Sequence, residues 1–152
     1  MAPQLAPAGH HFIASANGNH QWIDVTLFTF PSETDDGEAL KALIAHELYG
    51  DNHAGGEPGD DPTRHGPYWR DRITADSFEP VDATAAERQL RAWTKADLEQ
   101  EVYEPLKAAR TVYRLRDLDD TAVHDWGWVL WDFQEFVLVE DGTLRLVVAA
   151  VD

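Results

Sequence analysis

The stretch from His46 to His53, HELYGDNH, begins like the zinc-binding helix of a metalloprotease. In that motif two histidines bind zinc from one helix face, and the glutamate after the first serves as general base. Here Gly50 occupies the position of the second histidine, and the next histidine is His53. Because glycine commonly ends a helix, we expect His53 to lie in a loop, away from the helix face of His46. The spacing therefore excludes the protease motif.

The same region still offers side chains that can bind a metal. Imidazole and carboxylate groups suit Zn²⁺ or Mn²⁺, and the chain has no cysteine that could supply thiolate ligands. The candidate ligands are His46, Asp51, His53 and His65. Their spacing matches no standard motif. We therefore expect no cofactor, and a divalent metal such as zinc or manganese is the alternative.

Two carboxylates fall where the sequence pattern predicts apolar surroundings. Glu47 lies among the leucines of a predicted helix, and Glu135 is the sole charge on one face of a predicted hairpin. A carboxylate in such a place must be paired or protonated, because desolvation disfavours its charged form. Glu47 and Glu135 could therefore act as a general acid and base. The alternative is that each meets a backbone N–H or an arginine, with Arg114 and Arg116 as candidate partners of Glu135.

Two pairs of aromatic residues are candidates for binding a partner. Trp126 and Trp128 share one face of a predicted strand, and Tyr68 and Trp69 lie in a long predicted loop. Aromatic side chains supply much of the binding energy at protein interfaces. The alternative is that these four side chains pack in the core.

A turn signal near each end of the chain predicts a β-hairpin. Asn17-Gly18 suits a type I′ turn within residues 10–30, and a two-residue turn there places His11 opposite Asp24.

The second signal, Asp141-Gly142, predicts a hairpin of residues 127–139 and 144–151, with Glu135 opposite Val148. A slip of one residue would move every side chain to the other face, so this register decides the surroundings of Glu135.

Two segments have the apolar spacing of helices. Residues 36–49 follow Asp35, a suitable N-cap. Residues 84–110 predict two helices or one bent helix, because Pro105 should interrupt the helical hydrogen bonds. Residues 50–83 lie between these helices, have no periodicity and predict a long loop.

Together these elements predict a single α+β domain over residues 1–152. Its antiparallel sheet contains the N-terminal hairpin and a C-terminal meander of three strands that begins at residues 111–116. Two or three helices pack on one face of this sheet. We expect residues 1–9 to form a flexible N-terminus.

The charge of the chain limits the partners it can have. The net charge is −16, and residues 31–61 and 117–152 each hold nine acidic residues and one basic residue. Such a surface repels nucleic-acid backbones and suits a basic protein partner. The alternative is that the acidic residues form a solvated surface that serves solubility or adaptation to salt. No stretch approaches the roughly 20 apolar residues of a membrane span, so we expect a cytoplasmic protein that does not bind membranes. The charge does not predict an oligomeric state.

Two functions are consistent with this sequence. The first is an acidic protein-binding module, such as an immunity or antitoxin-type protein or an inhibitor that mimics nucleic acid. The alternative is a metal-dependent or carboxylate-based hydrolase, or a small-molecule binder, with its pocket between the first helix and the C-terminal sheet. The chain lacks a nucleophile elbow, a phosphate loop and a dinucleotide fingerprint, which favours the first function.

Overall fold

The computed structural model describes residues 4–14, 20–50, 63–124 and 131–151, with only the backbone of Gly50 and Trp131. Four of the candidate site residues lie outside these ranges, as does the predicted turn at Asn17-Gly18. The four residues are Asp51, His53, Trp126 and Trp128. The predictions made for them are therefore neither confirmed nor contradicted.

An antiparallel sheet of six strands forms the centre of the described structure, in the order β1-β2-β8-β7-β6-β5. The strands within the described ranges are β1 (Ala6–Ala14), β2 (Gln21–Thr29), β3 (Arg64–His65), β4 (Tyr68–Trp69), β5 (Phe78–Val81), β6 (Thr111–Leu115), β7 (Trp131–Glu140) and β8 (Thr143–Val151). The short strands β3 and β4 form a separate hairpin. The predicted α+β fold is confirmed, including its N-terminal hairpin and its meander of β6, β7 and β8.

In the part of the chain that the structure describes, three α-helices accompany the sheet: α1 (Asp36–Ala45), α2 (Ala83–Trp93) and α3 (Glu104–Ala108). A π-helical segment, Glu99–Tyr103, leads directly into α3. Pro105 lies at the start of α3, directly after this π-helical segment. It has no N–H to offer the carbonyl of Glu101 four residues earlier, and that carbonyl accepts from Arg145 instead. The predicted helical segment of residues 84–110 is thus two separate helices. None of the helices in the described ranges is long and apolar enough to cross a membrane.

The helices lie on both faces of the sheet, although the sequence analysis placed them on one. Helix α1 packs on the face whose core includes Val137, Val139, Leu144, Leu146 and Val148. Helices α2 and α3 pack on the opposite face, whose core includes Phe136, Leu138, Val147 and Ala149. The strands β7 and β8 are apolar at both odd and even positions, so both of their faces must be covered. We call the α1 side the first face and the α2 side the second face.

The register of the C-terminal hairpin is confirmed from its turn as far as Glu135, which lies opposite Val148. Beyond that pair the register shifts between Trp131 and Gln134, where Asp132 adopts a positive φ of 53°. Glu135 therefore lies on the predicted face of the sheet, because the irregularity is N-terminal to it and the pairing between Glu135 and the turn is regular.

The register of the N-terminal hairpin differs from the prediction by one residue. Phe12 lies opposite Asp24, and His11 lies opposite Val25. In a hairpin with a regular two-residue turn, an even number of residues lies between any two paired residues. Seven residues lie between Ala14 and its partner Trp22. His10 is diagonal to Asp24 and hydrogen-bonds to its carboxylate.

Two segments expected to lack regular structure contain strands. Strand β1 begins at Ala6, within the segment assigned to a flexible N-terminus, and Leu5 before it is buried. Within the predicted loop of residues 50–83, the described part forms β3, β4, two 3₁₀ turns and β5. Strand β5 pairs with β6 and so becomes one edge of the large sheet.

Candidate functional site

Two of the side chains that the sequence analysis singled out, His65 and Glu135, meet in a buried cluster on the first face of the sheet. Glu135 comes from the middle of β7, and its side chain is only 1% exposed. His65 comes from β3 and is fully buried, as is Tyr49 in the 3₁₀ turn Glu47–Gly50 that follows α1. We call Tyr49, His65 and Glu135 the buried cluster.

Every polar side-chain atom of the buried cluster has a partner. The Tyr49 hydroxyl donates to Glu135 Oε2 at 2.7 Å, and His65 Nε2 bonds to Glu135 Oε1. The other ring nitrogen, His65 Nδ1, lies 2.5 Å from the backbone carbonyl of Tyr49. The tyrosine and histidine rings are also stacked, with centroids 3.6 Å apart and planes 7° from parallel.

These bonds limit where the protons of the buried cluster can be. A carbonyl only accepts, so His65 Nδ1 must carry a proton that it donates to the Tyr49 carbonyl. Nε2 then either donates to an ionised Glu135 or accepts from a protonated one. In both arrangements the His65–Glu135 pair carries no net charge, which is the condition for burying two titratable groups at tolerable cost.

Burial also changes the acidity of Tyr49. Desolvation raises the pKa of its hydroxyl well above the usual value, and the nearby Glu135 charge and the hydrogen bond to Glu135 raise the pKa further. Tyr49 therefore stays neutral and remains a donor at physiological pH. The hydrogen bonds of the buried cluster tie the turn after α1 to β3 and β7.

The hairpin that carries His65 depends on a glycine. Gly66 has φ +54°, and a Cβ at this position would lie 2.3 Å from the Phe133 ring. The same ring packs edge-on against His65, with centroids 6.1 Å apart. The carbonyl of Gly66 is 2.6 Å from Nε2 of the buried His124. These contacts hold β3 against β7, so His65 can reach Glu135.

Glu47 does not lie beside Glu135, which corrects the predicted acid/base pair. Helix α1 ends at Ala45, and Glu47 in the following 3₁₀ turn is exposed. Arg70 donates to the carbonyls of Ile44 and His46 at 2.8 Å each, which satisfies the helix end well before Gly50. Tyr49, two positions further along, takes the inward position that the helical pattern gave to Glu47.

The arginines considered as partners of Glu135 bond elsewhere. Arg114 forms an ion pair with Glu79 on the neighbouring strand at 2.9 Å. Arg116 donates to the backbone carbonyl of Asp76. Glu135 is therefore stabilised by a tyrosine and a histidine, both of which lie more than 65 positions earlier in the chain.

The two described residues of the predicted metal site, His46 and His65, form hydrogen bonds with different partners. His46 accepts a hydrogen bond from the backbone N–H of Leu48 through Nδ1. His65 uses both ring nitrogens within the buried cluster. Within the described ranges, no group of three or more histidine or carboxylate side chains could hold a metal ion. A site that depends on Asp51 and His53 stays a prediction.

The predicted aromatic binding residues of the described chain line two different clefts. Trp69 borders a cleft of about 620 Å³ together with Arg70 and Arg72. Tyr68 borders a cleft of about 760 Å³ on the other side of the β3–β4 hairpin. We call this second cleft the aromatic cleft. It is lined by the aromatic residues Tyr68, Trp93 and Phe133, the amides Gln89 and Gln134, the carboxylates Asp117 and Asp132, and the cation Arg114, together with the apolar residues Pro67, Ala92, Leu118 and Val123. The charge of Arg114 is offset by its ion pair with Glu79.

The sequence analysis missed several residues that matter at these sites. Tyr49 was overlooked because the predicted helix continued through it, and Trp93, Asp117 and Asp132 carry no local pattern that would unite them. The Gly66-Pro67 pair was an available signal, since such a dipeptide marks a tight turn and hence a hairpin at His65.

No protein-family model, no curated protein and no solved structure matches this chain. The assignment of a function therefore depends on the geometry and charge described above.

Proposed function

We propose that this protein is an acidic module that binds a basic protein partner. The observation that carries the proposal is the distribution of charge: the basic side chains are largely engaged within the molecule, and many acidic ones face solvent. An immunity or antitoxin-type protein, or an inhibitor that mimics nucleic acid, would have this character. We also propose a cytoplasmic location, since the chain has no cysteine and its fold needs no disulfide.

The arginines with described ion pairs each bind one or two carboxylates. These ion pairs are Arg91 with Glu87 and Glu99, Arg110 with Asp36 and Asp141, and Arg114 with Glu79. Three further arginines donate to backbone carbonyls, namely Arg70, Arg116 and Arg145. Four other basic residues are exposed, namely Lys41, Arg72, Arg88 and Lys95. They are too few to offset the exposed acids of a chain whose net charge is −16.

Several exposed carboxylates cluster around the aromatic cleft. Asp117 and Asp132 border it, and Asp119 and Asp120 follow closely after Asp117 in the chain. None of these four forms an ion pair within the part of the chain that the structure describes. The pKa of Asp119 is lowered, chiefly by a hydrogen bond from the Thr121 hydroxyl, so its charge is secure at neutral pH.

The aromatic cleft suits a cationic side chain. A lysine or arginine of a partner could place its charge between Asp117 and Asp132 and its aliphatic stem against Trp93 and Phe133. Long-range attraction toward a chain of net charge −16 would also make association fast and sensitive to salt.

The enzymatic alternative has less support from the described residues. Its proposed base pair is separated, because Glu47 is exposed and Glu135 is buried. The side chains of His65 and Glu135 are fully buried, so a dissolved substrate would not reach them in this conformation.

The test is affinity capture from the source lysate at low and high salt, followed by titration of the purified captured protein. We expect a basic protein at low salt, with an affinity that falls as salt rises. The double variant Asp117→Asn/Asp132→Asn should weaken this affinity at least about tenfold if both carboxylates contact the partner. Asparagine tolerates the positive φ of Asp132, so the backbone should be unaffected.

The matched control is Glu47→Gln/Glu104→Gln, which removes the same charge from two exposed positions outside the aromatic cleft. It should change the affinity much less, because only the long-range attraction is reduced. Capture of no basic protein at either salt concentration would contradict the proposed function. An equal effect of both double variants would leave the function standing but remove the aromatic cleft as its site.

A further inference from the structure

The aromatic cleft lies where several elements meet at one end of the sheet. Strands β6 and β7 are antiparallel neighbours, so the residues after β6 and the first residues of β7 lie at the same end. Asp117 follows β6, and Asp132 and Phe133 belong to the start of β7. Helix α2 adds Trp93, and the β3–β4 hairpin adds Tyr68. The two carboxylates therefore border one space from different elements.

Aromatic rings form part of the walls of this cleft. The Tyr68 and Phe133 rings are nearly perpendicular, with planes 84° apart and centroids separated by 6.0 Å. Trp93 lines the cleft from the side of α2. The volume of about 760 Å³ falls within the range of about 300–1,000 Å³ that is typical of sites enclosing a ligand. The cleft therefore has room for a planar group together with its aliphatic stem.

The hydrogen-bond acceptors of the cleft are spread around it. The carboxylates of Asp117 and Asp132 are exposed and supply two of them. The third is the amide oxygen of Gln89. The Nε2 of Gln89 donates to Gln134 Oε1 at 2.8 Å, and no group within the described ranges donates to Gln89 Oε1. These acceptors belong to three elements, namely α2, the segment after β6 and the start of β7.

Acceptors arranged in this way suit a guanidinium group better than an ammonium group. A lysine presents its three donors from one nitrogen atom, so its acceptors must converge on a single point. An arginine presents five N–H donors around a planar group, is less strongly hydrated and stacks on aromatic rings. Its guanidinium makes such ring contacts elsewhere in this fold: Cζ of Arg91 lies 4.0 Å from the centroid of the Tyr103 ring, and Cζ of Arg64 lies 5.7 Å from that of Trp69.

One cation of the protein already borders the cleft. Arg114 lies in its wall, and the Nη2 of this arginine donates to Glu79 Oε1 at 2.9 Å. Because that ion pair offsets the charge of Arg114, the carboxylates of Asp117 and Asp132 leave the cleft negative. An arginine and a lysine of a partner would meet the same residual repulsion from Arg114, so this residue does not change the preference between them.

We propose that the aromatic cleft is selective for an arginine side chain of the basic partner and binds lysine more weakly. The guanidinium group donates to Asp117, Asp132 and Gln89 Oε1 and stacks on an aromatic wall, which the single nitrogen of lysine cannot do at once. This selectivity rests on the proposed function, since it names the side chain that the same site receives.

Isothermal titration calorimetry of the purified full chain with hexa-arginine and hexa-lysine peptides tests the selectivity. The two peptides carry equal charge, so long-range attraction acts on both and largely cancels in the ratio of their dissociation constants. We expect hexa-arginine to bind at least about fivefold more tightly, roughly the effect of one additional hydrogen bond.

Two variants locate the selectivity in the aromatic cleft. Asp117→Asn/Asp132→Asn should largely abolish the preference for hexa-arginine. Gln89→Leu should reduce the preference without a change in charge, because it removes the third acceptor from an exposed position of α2. The matched controls are Glu47→Gln/Glu104→Gln and Gln100→Leu, which make similar changes at exposed positions outside the cleft and should keep the wild-type ratio. Circular dichroism verifies that the variants are folded.

A wild-type chain that binds both peptides equally, or hexa-lysine more tightly, would overturn the proposal. So would a preference for arginine that both cleft variants leave unchanged, because another surface would then be responsible. These outcomes differ from failure of the proposed function, which is the capture of no basic protein. Capture of a basic partner together with equal binding of the two peptides would remove only the selectivity.

Discussion

Replacing Glu135 with leucine should remove a large part of the stability of this fold. The substitution removes the acceptor of the buried Tyr49 hydroxyl and the carboxylate partner of His65 Nε2. Removing one member of a buried charge pair typically costs about 3–5 kcal/mol. A domain of this size has a total stability of about 5–15 kcal/mol, so the loss should be evident in any unfolding experiment.

Glu135→Gln should cost much less, about 1 kcal/mol. Its amide N–H₂ can donate to Nε2 of a neutral His65, whose Nδ1–H still donates to the Tyr49 carbonyl. Its carbonyl can still accept from the Tyr49 hydroxyl. The difference in unfolding free energy between the leucine and glutamine variants therefore separates the contribution of the hydrogen bonds from that of the side-chain volume.

Urea unfolding followed by tryptophan fluorescence measures these free energies through linear extrapolation. The same two substitutions at Glu140, the partly exposed end of β7, should each change the free energy by less than about 0.5 kcal/mol. A Glu135→Leu variant within about 1 kcal/mol of the wild type would refute the stabilising role of the buried cluster. A glutamine variant as unstable as the leucine variant would show that Glu135 must be ionised.

Three further predictions concern other contacts of the described structure. Gly66→Ala should destabilise the protein by about 1–3 kcal/mol in thermal or urea unfolding, because residue 66 has a positive φ and a Cβ there would clash with the Phe133 ring. The control is Gly37→Ala in the first turn of α1, where a Cβ meets only ordinary contacts. It should change stability by less than about 1 kcal/mol. Arg70→Lys should cost about 1–2 kcal/mol in the same assay, because lysine cannot donate from a planar fork to both carbonyls at the end of α1; an unchanged stability would contradict that role. The pKa of Tyr113 is raised to about 12 by burial and by its hydrogen bond to Asp36. The stability that this hydrogen bond contributes should be fully present below the ordinary tyrosine pKa and be lost as pH rises through about 12. Tyr113→Phe should remove that component from a spectrophotometric titration of tyrosine, and an unaltered titration would count against the raised pKa.

Patterns within one element were predicted correctly where a local rule fixes them. The Asp141-Gly142 turn fixes the register of β7 and β8, and that register buries Glu135 on an otherwise apolar face. Asp35 caps α1 as expected, since its carboxylate accepts from the backbone N–H of Glu38. The apolar character of both odd and even positions in β8 also indicated a strand covered on two faces, although the fold prediction assigned helices to only one.

The partners of Glu135 could not be predicted in this way. His65 and Tyr49 precede it by 70 and 86 positions, and no periodicity links residues at such separations. The position of Tyr49 depends on Arg70, which binds the carbonyls at the end of α1 and so ends the helix before Glu47 turns inward. A helical wheel describes only the residues of one helix, so it cannot show a contact with a side chain from a distant part of the chain.

The sequence by itself determined the α+β class, the charge of the surface and the burial of one carboxylate, because composition, turn chemistry and strand alternation are local properties. Only the tertiary structure decided that this carboxylate pairs with a tyrosine and a histidine, that Asp117 and Asp132 border one aromatic cleft, and that β1 and β5 are the two edges of the described sheet. Each of these depends on which segments lie side by side, and that order follows from the packing of the whole chain on the sheet.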